Sequence, residues 1–261
     1  YKIIYMLGTP KYSLITKLIL LKWNIKDKVE EIFHLEPPVK VTLEIAIKDK
    51  NGNIIKRHKQ RSHSFVSNYL AFIGTFMSMS YFGPFSSYWI RNTSGVWQTY
   101  NNPNYASVNG VMAVNDSNND STYGIVVGTG TTPPTANDYN MENIIANGTS
   151  SGQLQYGSHT FNPETISGGY NQTSTPTSGL VAVNGNTTSF QIMRTFTNSS
   201  GNSITVSEVG IIASFIVTES TSSGSNYVQN YALIVHDLLS SPVTIPNGSS
   251  LTVTYTFQTT T

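Results

Sequence analysis

The residues able to do chemistry are few and scattered. The five histidines are His34, His58, His63, His159 and His236. None forms the HxxxH or HExxH spacing that places two imidazoles on one metal. His236-Asp237 stands near Ser240 and Ser241, but no GxSxG elbow presents a nucleophile. No pair of carboxylates stands out as an acid and a base. Asp116, Asn118 and Asp120 alternate as in a calcium loop. Ser121 stands where that loop needs Gly, and Val127 where it needs a bidentate Glu. Gly128-Thr129-Gly130-Thr131-Thr132-Pro133-Pro134 lacks the Lys of a phosphate loop and the third Gly of a dinucleotide turn, so it reads as a turn leaving a strand. The sequence therefore points to no catalytic residue, no metal and no cofactor, and the expectation is a protein that is not an enzyme.

Two further sets of polar residues call for an account. Glu208 lies within an apolar stretch, where a carboxylate needs a partner or a bulge. Arg194 is one of two cations beyond position 61, so a structural ion pair between Glu208 and Arg194 is expected. Asn-X-Ser/Thr sequons occur at Asn92, Asn115, Asn119, Asn147, Asn171, Asn186, Asn198 and Asn247. They offer glycosylation sites if the host glycosylates. Their number is close to what random placement of the abundant Asn, Ser and Thr gives.

The charge is unevenly spread. Thirteen of the 15 Lys and Arg residues lie in the first 61 positions, against six acids, a local net charge of +7. The other 200 residues carry two cations and eight acids, a net −6. Charged residues make up 11% of the chain, well under the roughly 25% usual for soluble domains. Hydroxyls and amides must keep the body soluble, a habit that fits an exposed virion or extracellular surface. No Cys is present, so no disulfide can form. Apolar runs such as Leu18 to Leu21 are far short of the ~20 residues a membrane helix needs. The first residue is Tyr1 and not Met, which fits a removed leader or missing first residues.

The elements that must position these residues follow from periodicity. Residues 1–10 read as an extended arm. Leu14, Leu18, Leu21, Ile25, Val29 and Ile32 form one apolar helical stripe flanked by lysines, closed by Pro37-Pro38. Val39 to Ile47 alternate as a half-buried strand, Asn51-Gly52 turns, and a basic strand returns to Lys59. That basic edge is either protection by charge or a contact for an acidic partner. A second helix follows from Ser62 or Ser64 to about residue 80. Residues 81–105 are an aromatic-rich connection, with Trp89 and Trp97 as candidates for stacking on a glycan. From 106 to 261 short strands alternate with polar turns, as in an antiparallel β-sandwich. The fold class expected is mainly β: a sandwich body at 106–261, preceded by a basic assembly region at 1–80 made of arm, helix, hairpin and helix.

Three segments together carry a resemblance. They are GIVVGTGTTPPTANDYNMENI at 124–144, ITVSEVGII at 204–212 and YALIVHDLLSSPVTIPNGSSLTVTYTF at 231–257. In this order they resemble structural proteins of tailed bacteriophages and of viruses of thermophilic archaea. The hairpin and helix at 47–73 resemble the N-terminal part of the same proteins. The resemblance implies a virion component of capsid, tail or appendage, without chemistry. Its expected partners are copies of itself and other virion proteins, with a host-surface glycan as a further candidate. Nucleic acid is disfavoured, because the +7 is spread over ordered elements with acids among them. The alternatives are an extracellular filament or surface-layer subunit, and a glycan-binding receptor module.

Overall fold

The structure, a computed structural model, describes residues 39–62, 64–77, 88–100, 113–114, 119–162, 182–184, 186–221 and 224–260. The expected arm and first helix, part of the aromatic connection, and the sequons at Asn115 and Asn171 lie outside the described residues.

The described chain is mainly β and antiparallel. Sheet A runs in the order β2-β1-β11-β8-β6, with β7 also on β8. Its strands are β1 Lys40–Lys48, β2 Ile54–Arg61, β6 Gln155–Asn162, β7 Ala182–Asn184, β8 Thr187–Thr197 and β11 Ser250–Thr260. Sheet B runs β10-β9-β5, made of β5 Gly124–Gly128, β9 Ile204–Thr221 and β10 Gly224–Ile245. A separate hairpin joins β3 Tyr88–Arg91 to β4 Trp97–Tyr100. The single described helix, α1, is Ser67–Met77. It starts later than the Ser62 or Ser64 expected, because residues 64–66 lie extended beside β10. There Phe65 bridges Val235, and the amide of His236 donates to the Ser64 carbonyl at 2.9 Å. This segment covers part of an edge that would otherwise invite another strand.

The β1–β2 hairpin is part of the sandwich, not a separate module before it. Its Asp49 carboxylate accepts the amides of Asn51 and Asn53 across the turn, and Gly52 supplies a φ of +85°. β1 then pairs with β11 along its whole length, from Lys40 opposite Gln258 to Lys48 opposite Ser250. Val41, Leu43, Ile45 and Ile47 turn inward and meet Leu251, Val253 and Tyr255 in the core. The outward positions of β8 and β11 carry mostly hydroxyls and amides. Thr195 faces Thr252 at 3.0 Å, Thr187 faces Thr260 at 3.3 Å, and Gln191 donates to Thr256 at 3.0 Å.

Sheet B is buried on both faces. From Val206 to Phe215 every residue of β9 is buried, which explains why its sequence does not alternate cleanly. Sheet A covers one face. Over the other lie the loop between β5 and β6, α1 and the β3–β4 hairpin. Asn68 of α1 ties this cover together. Its amide nitrogen donates to the carbonyls of Arg91 and Leu233, and its oxygen accepts the Arg91 amide.

The sandwich is closed at both seams by side chains. On one seam Gln60 of β2 donates to the Leu238 carbonyl and accepts the Ser240 amide of β10. On the other, β5 and β6 do not pair as strands. His159 Nε2 accepts the Ile125 amide at 2.8 Å, which fixes the ring as the tautomer protonated on Nδ1. Arg194 Nη1 donates to the Tyr123 and Ile125 carbonyls, Nη2 to Asp120 and Nε to Gly157. The guanidinium also stacks on Tyr156, 4.8 Å from its ring centre. The Tyr156 hydroxyl donates to the Ile145 carbonyl at 2.6 Å. Backbone groups that a strand would have paired are thus satisfied one at a time.

Candidate functional site

Glu208 projects from the face of β9 that looks toward the β5–β6 loop, and it is 1% exposed. Three backbone amides converge on its carboxylate: Gly130 at 3.0 Å, Asn143 at 2.8 Å and Glu142 at 3.2 Å. His236 lies diagonally across on β10, opposite Gly210. Its Nε2 is 2.9 Å from Glu208 Oε2 and its Nδ1 is 2.7 Å from Asp138 Oδ2. Both partners are carboxylates, so both ring nitrogens must donate, and the imidazole is an imidazolium held between two anions.

The electrostatics agree with this geometry. Burial pushes the Glu208 carboxyl up, but His236 and the three amides outweigh it and leave it below its ordinary value. Burial also raises Asp138, and Thr135 and His236 together bring it below normal. Burial lowers His236, and the two carboxylates more than reverse this, so its pKa is raised.

The glycines make the approach possible. A Cβ on Gly128 would lie 2.3 Å from Glu208 Oε1, and one on Gly130 2.6 Å from the same atom. On Gly210 it would meet the Met141 sulfur at 2.6 Å. The Gly128–Gly130 turn is therefore a wrapping around a carboxylate, not a phosphate cradle. Glu142 completes it by accepting the amides of Thr131 and Thr132. The 124–144, 204–212 and 231–257 segments all meet at this one network.

No protein-family model, curated protein or solved structure matches this chain.

The structure corrects the partner of Glu208. Its bonds go to His236 and the loop amides, while Arg194, also 1% exposed, serves the seam beside β5. The two residues belong to different sheets: Arg194 lies on β8 of sheet A and Glu208 on β9 of sheet B. The His236-Asp237-Ser240 trio also stays apart. Successive residues of a strand face opposite ways, so Asp237 points toward sheet A and accepts Ser62 Oγ at 2.7 Å and the Tyr255 hydroxyl at 3.0 Å. Ser240 Oγ instead lies 3.4 Å from His58 Nε2. Asp120 of the calcium-like spacing accepts the Thr122 amide.

Of the described sequons, Asn119, Asn186 and Asn247 are exposed, and Asn92 and Asn147 are half-buried. Asn198 is 0% exposed. Its amide nitrogen donates to Asn202 and Ile245, and its oxygen accepts from Ser200. A glycan at Asn198 is incompatible with this fold.

Above the network lies an aromatic surface. Tyr139 follows Asp138 directly, and its ring centre is 4.1 Å from the Arg91 guanidinium carbon. Trp97, opposite Arg91 in the β3–β4 hairpin, lies 6.0 Å from the same carbon. Trp89 shares that outward face, since it alternates with buried Ile90. Trp89 is 61% exposed and Trp97 54%. Asn92 shapes the turn by accepting the amides of Ser94 and Val96, with Gly95 at a φ of +81°. Sequence reasoning found the two tryptophans but not Arg91 or Tyr139. The isolation of Arg91 among the body's few cations was the available signal.

Proposed function

We propose that this chain is a virion structural protein that self-assembles through its basic N-terminal part and turns the sandwich outward. The observation that carries the reading is the convergence of three separated segments on the Glu208–His236–Asp138 network. Segments scattered over more than a hundred residues form one folding unit, which supports reading their joint resemblance as one feature and not as isolated turns.

The rest of the molecule supports a scaffold. Glu208, His236, Arg194, His159 and Asp237 are spent on closing and covering the sheets. Strands β8 and β11 present threonines outward, which keeps that part of the surface hydrated with little charge. Among the described residues, no helix is long and apolar enough to cross a membrane. The strongly basic β2 edge, where Arg57 lies 3.9 Å from Glu44, supports a contact with an acidic neighbour.

Electron microscopy and mass photometry of the purified chain test this. Regular oligomers, lost when residues 1–38 are removed while the far-ultraviolet spectrum is kept, are expected. A strictly monomeric chain, or one whose assembly ignores that deletion, would overturn the reading.

A further inference from the structure

We infer that the outward face of the β3–β4 hairpin binds a carboxylate-bearing sugar, with Arg91 taking the carboxylate and Trp89 and Trp97 stacking on the ring. This site stands apart from the assembly reading and does not depend on it.

Charge distribution points first to Arg91. Beyond position 61 the only Lys or Arg residues are Arg91 and Arg194. Arg194 is buried within the seam, so Arg91 is the one accessible guanidinium or ammonium of a body that otherwise carries eight acids. Such an isolated cation concentrates whatever anion recognition the body has.

Its setting is built rather than incidental. Nε donates to the Gly95 carbonyl at 3.0 Å, which orients the plane of the guanidinium. Tyr139 covers it at 4.1 Å and Trp97 flanks it at 6.0 Å. The backbone of Arg91 is held on both sides by Asn68. Tyr139 is placed by its neighbour Asp138, itself locked to His236. Among the described residues, no carboxylate and no other acceptor meets the Nη nitrogens of Arg91. A pre-oriented fork with its donors unspent matches the two oxygens of a carboxylate.

The tryptophans decide what carries that carboxylate. Trp89 and Trp97 are diagonal neighbours on one face of the strand pair, a spacing of roughly 7–8 Å. Two exposed indoles beside a cation offer flat apolar faces to the C–H side of a pyranose, while phosphate or a free carboxylate would leave them unused. The body's net charge of −6 selects against broad polyanion binding, so recognition is confined to the Arg91 position.

The test uses the full chain, with intrinsic tryptophan fluorescence and calorimetry. Oligogalacturonate and 3′-sialyllactose are the carboxylated probes; methyl-esterified oligogalacturonate and lactose are their neutral counterparts. Each carboxylated probe should bind at least tenfold more tightly than its counterpart. Arg91→Gln should erase that difference, and Trp97→Ala should weaken every probe. Arg91→Lys keeps the charge without the fork and should recover only part of the preference, with thermal melts checking that each variant is folded. Equal binding of charged and neutral probes, no binding, or a preference that survives Arg91→Gln would each overturn the inference. So would a change of sedimentation coefficient in Arg91→Gln with no probe bound by the parent, which would make this face a contact between copies.

Discussion

Gly128 and Glu208 are so close that a methyl group on the glycine would stand 2.3 Å from the carboxylate oxygen. The Asn143 carbonyl, 2.6 Å from the same point, blocks the other direction. Neither group can yield, because Glu208 is fixed by His236 and three amides. Gly128→Ala should therefore destabilise the protein by about 3 kcal/mol through overpacking. The midpoint of a urea titration measures this. An unchanged midpoint would show that the network relaxes freely.

Replacing the charge tests the network itself. Glu208→Gln keeps the shape but faces the His236 imidazolium with a neutral amide, one end of which is a donor. A loss of about 3–5 kcal/mol is expected for breaking a buried pair on one side. Amide hydrogen exchange should accelerate at Gly130 and Asn143, which bond Glu208, before it does at Val253 in sheet A.

The pH dependence has two limbs of opposite sign. His236 has a raised pKa, so its contribution is complete below the ordinary 6.5 and is lost as pH rises through the folded value. Glu208 and Asp138 have lowered values. Their contributions are present above the ordinary 4.5 and 3.8 and fade as pH falls through the folded values. The network is therefore at full strength between about pH 4.5 and 6.5. Its alkaline limb should fall by at most about 1.4 kcal/mol per pH unit, the slope of one proton. His236→Gln should remove that limb in denaturation experiments run across pH.

At the β5 seam, Arg194→Lys would keep the charge while abandoning most of the carbonyls the guanidinium serves. About 3 kcal/mol should be lost, since buried acceptors are left without donors. Exchange protection should fall in β5 and not in the β1–β11 pair. Uniform loss of protection would mean that the seam is not a separate unit.

Expression in a glycosylating host followed by peptide mass spectrometry checks the surface sequons. Occupancy is expected at Asn119, Asn186 and Asn247 and none at Asn198. A folded protein carrying sugar at Asn198 would contradict the burial of its amide.

The β1–β2 hairpin and β11 were legible because alternation and an Asn-Gly turn are local signals. Sheet B was harder, since strands buried on both faces lose the alternation that marks a strand. Glu208 announced a need for a partner, but not which one. Arg194 attracted the assignment by charge, whereas His236 lay nearer because β9 and β10 pair in a register that no local pattern encodes. Nor could the sequence show that a Gly-Thr-Gly turn wraps a carboxylate, because the carboxylate lies 78 positions away.

Pairing of β1 with β11 also orders events in time. Lys40 finds its partner in Gln258, more than two hundred positions later, so β1 leaves the ribosome long before β11 exists. Until β11 has been made, one edge of the hairpin has no strand to receive it and the core under sheet A stays open. A neighbouring nascent copy could offer β11 first, so crowded synthesis should favour exchange of β11 between chains. The lysines and arginines of β2, on the hairpin's other edge, then act as a guard during the wait, turning away like-charged copies before the fold is sealed.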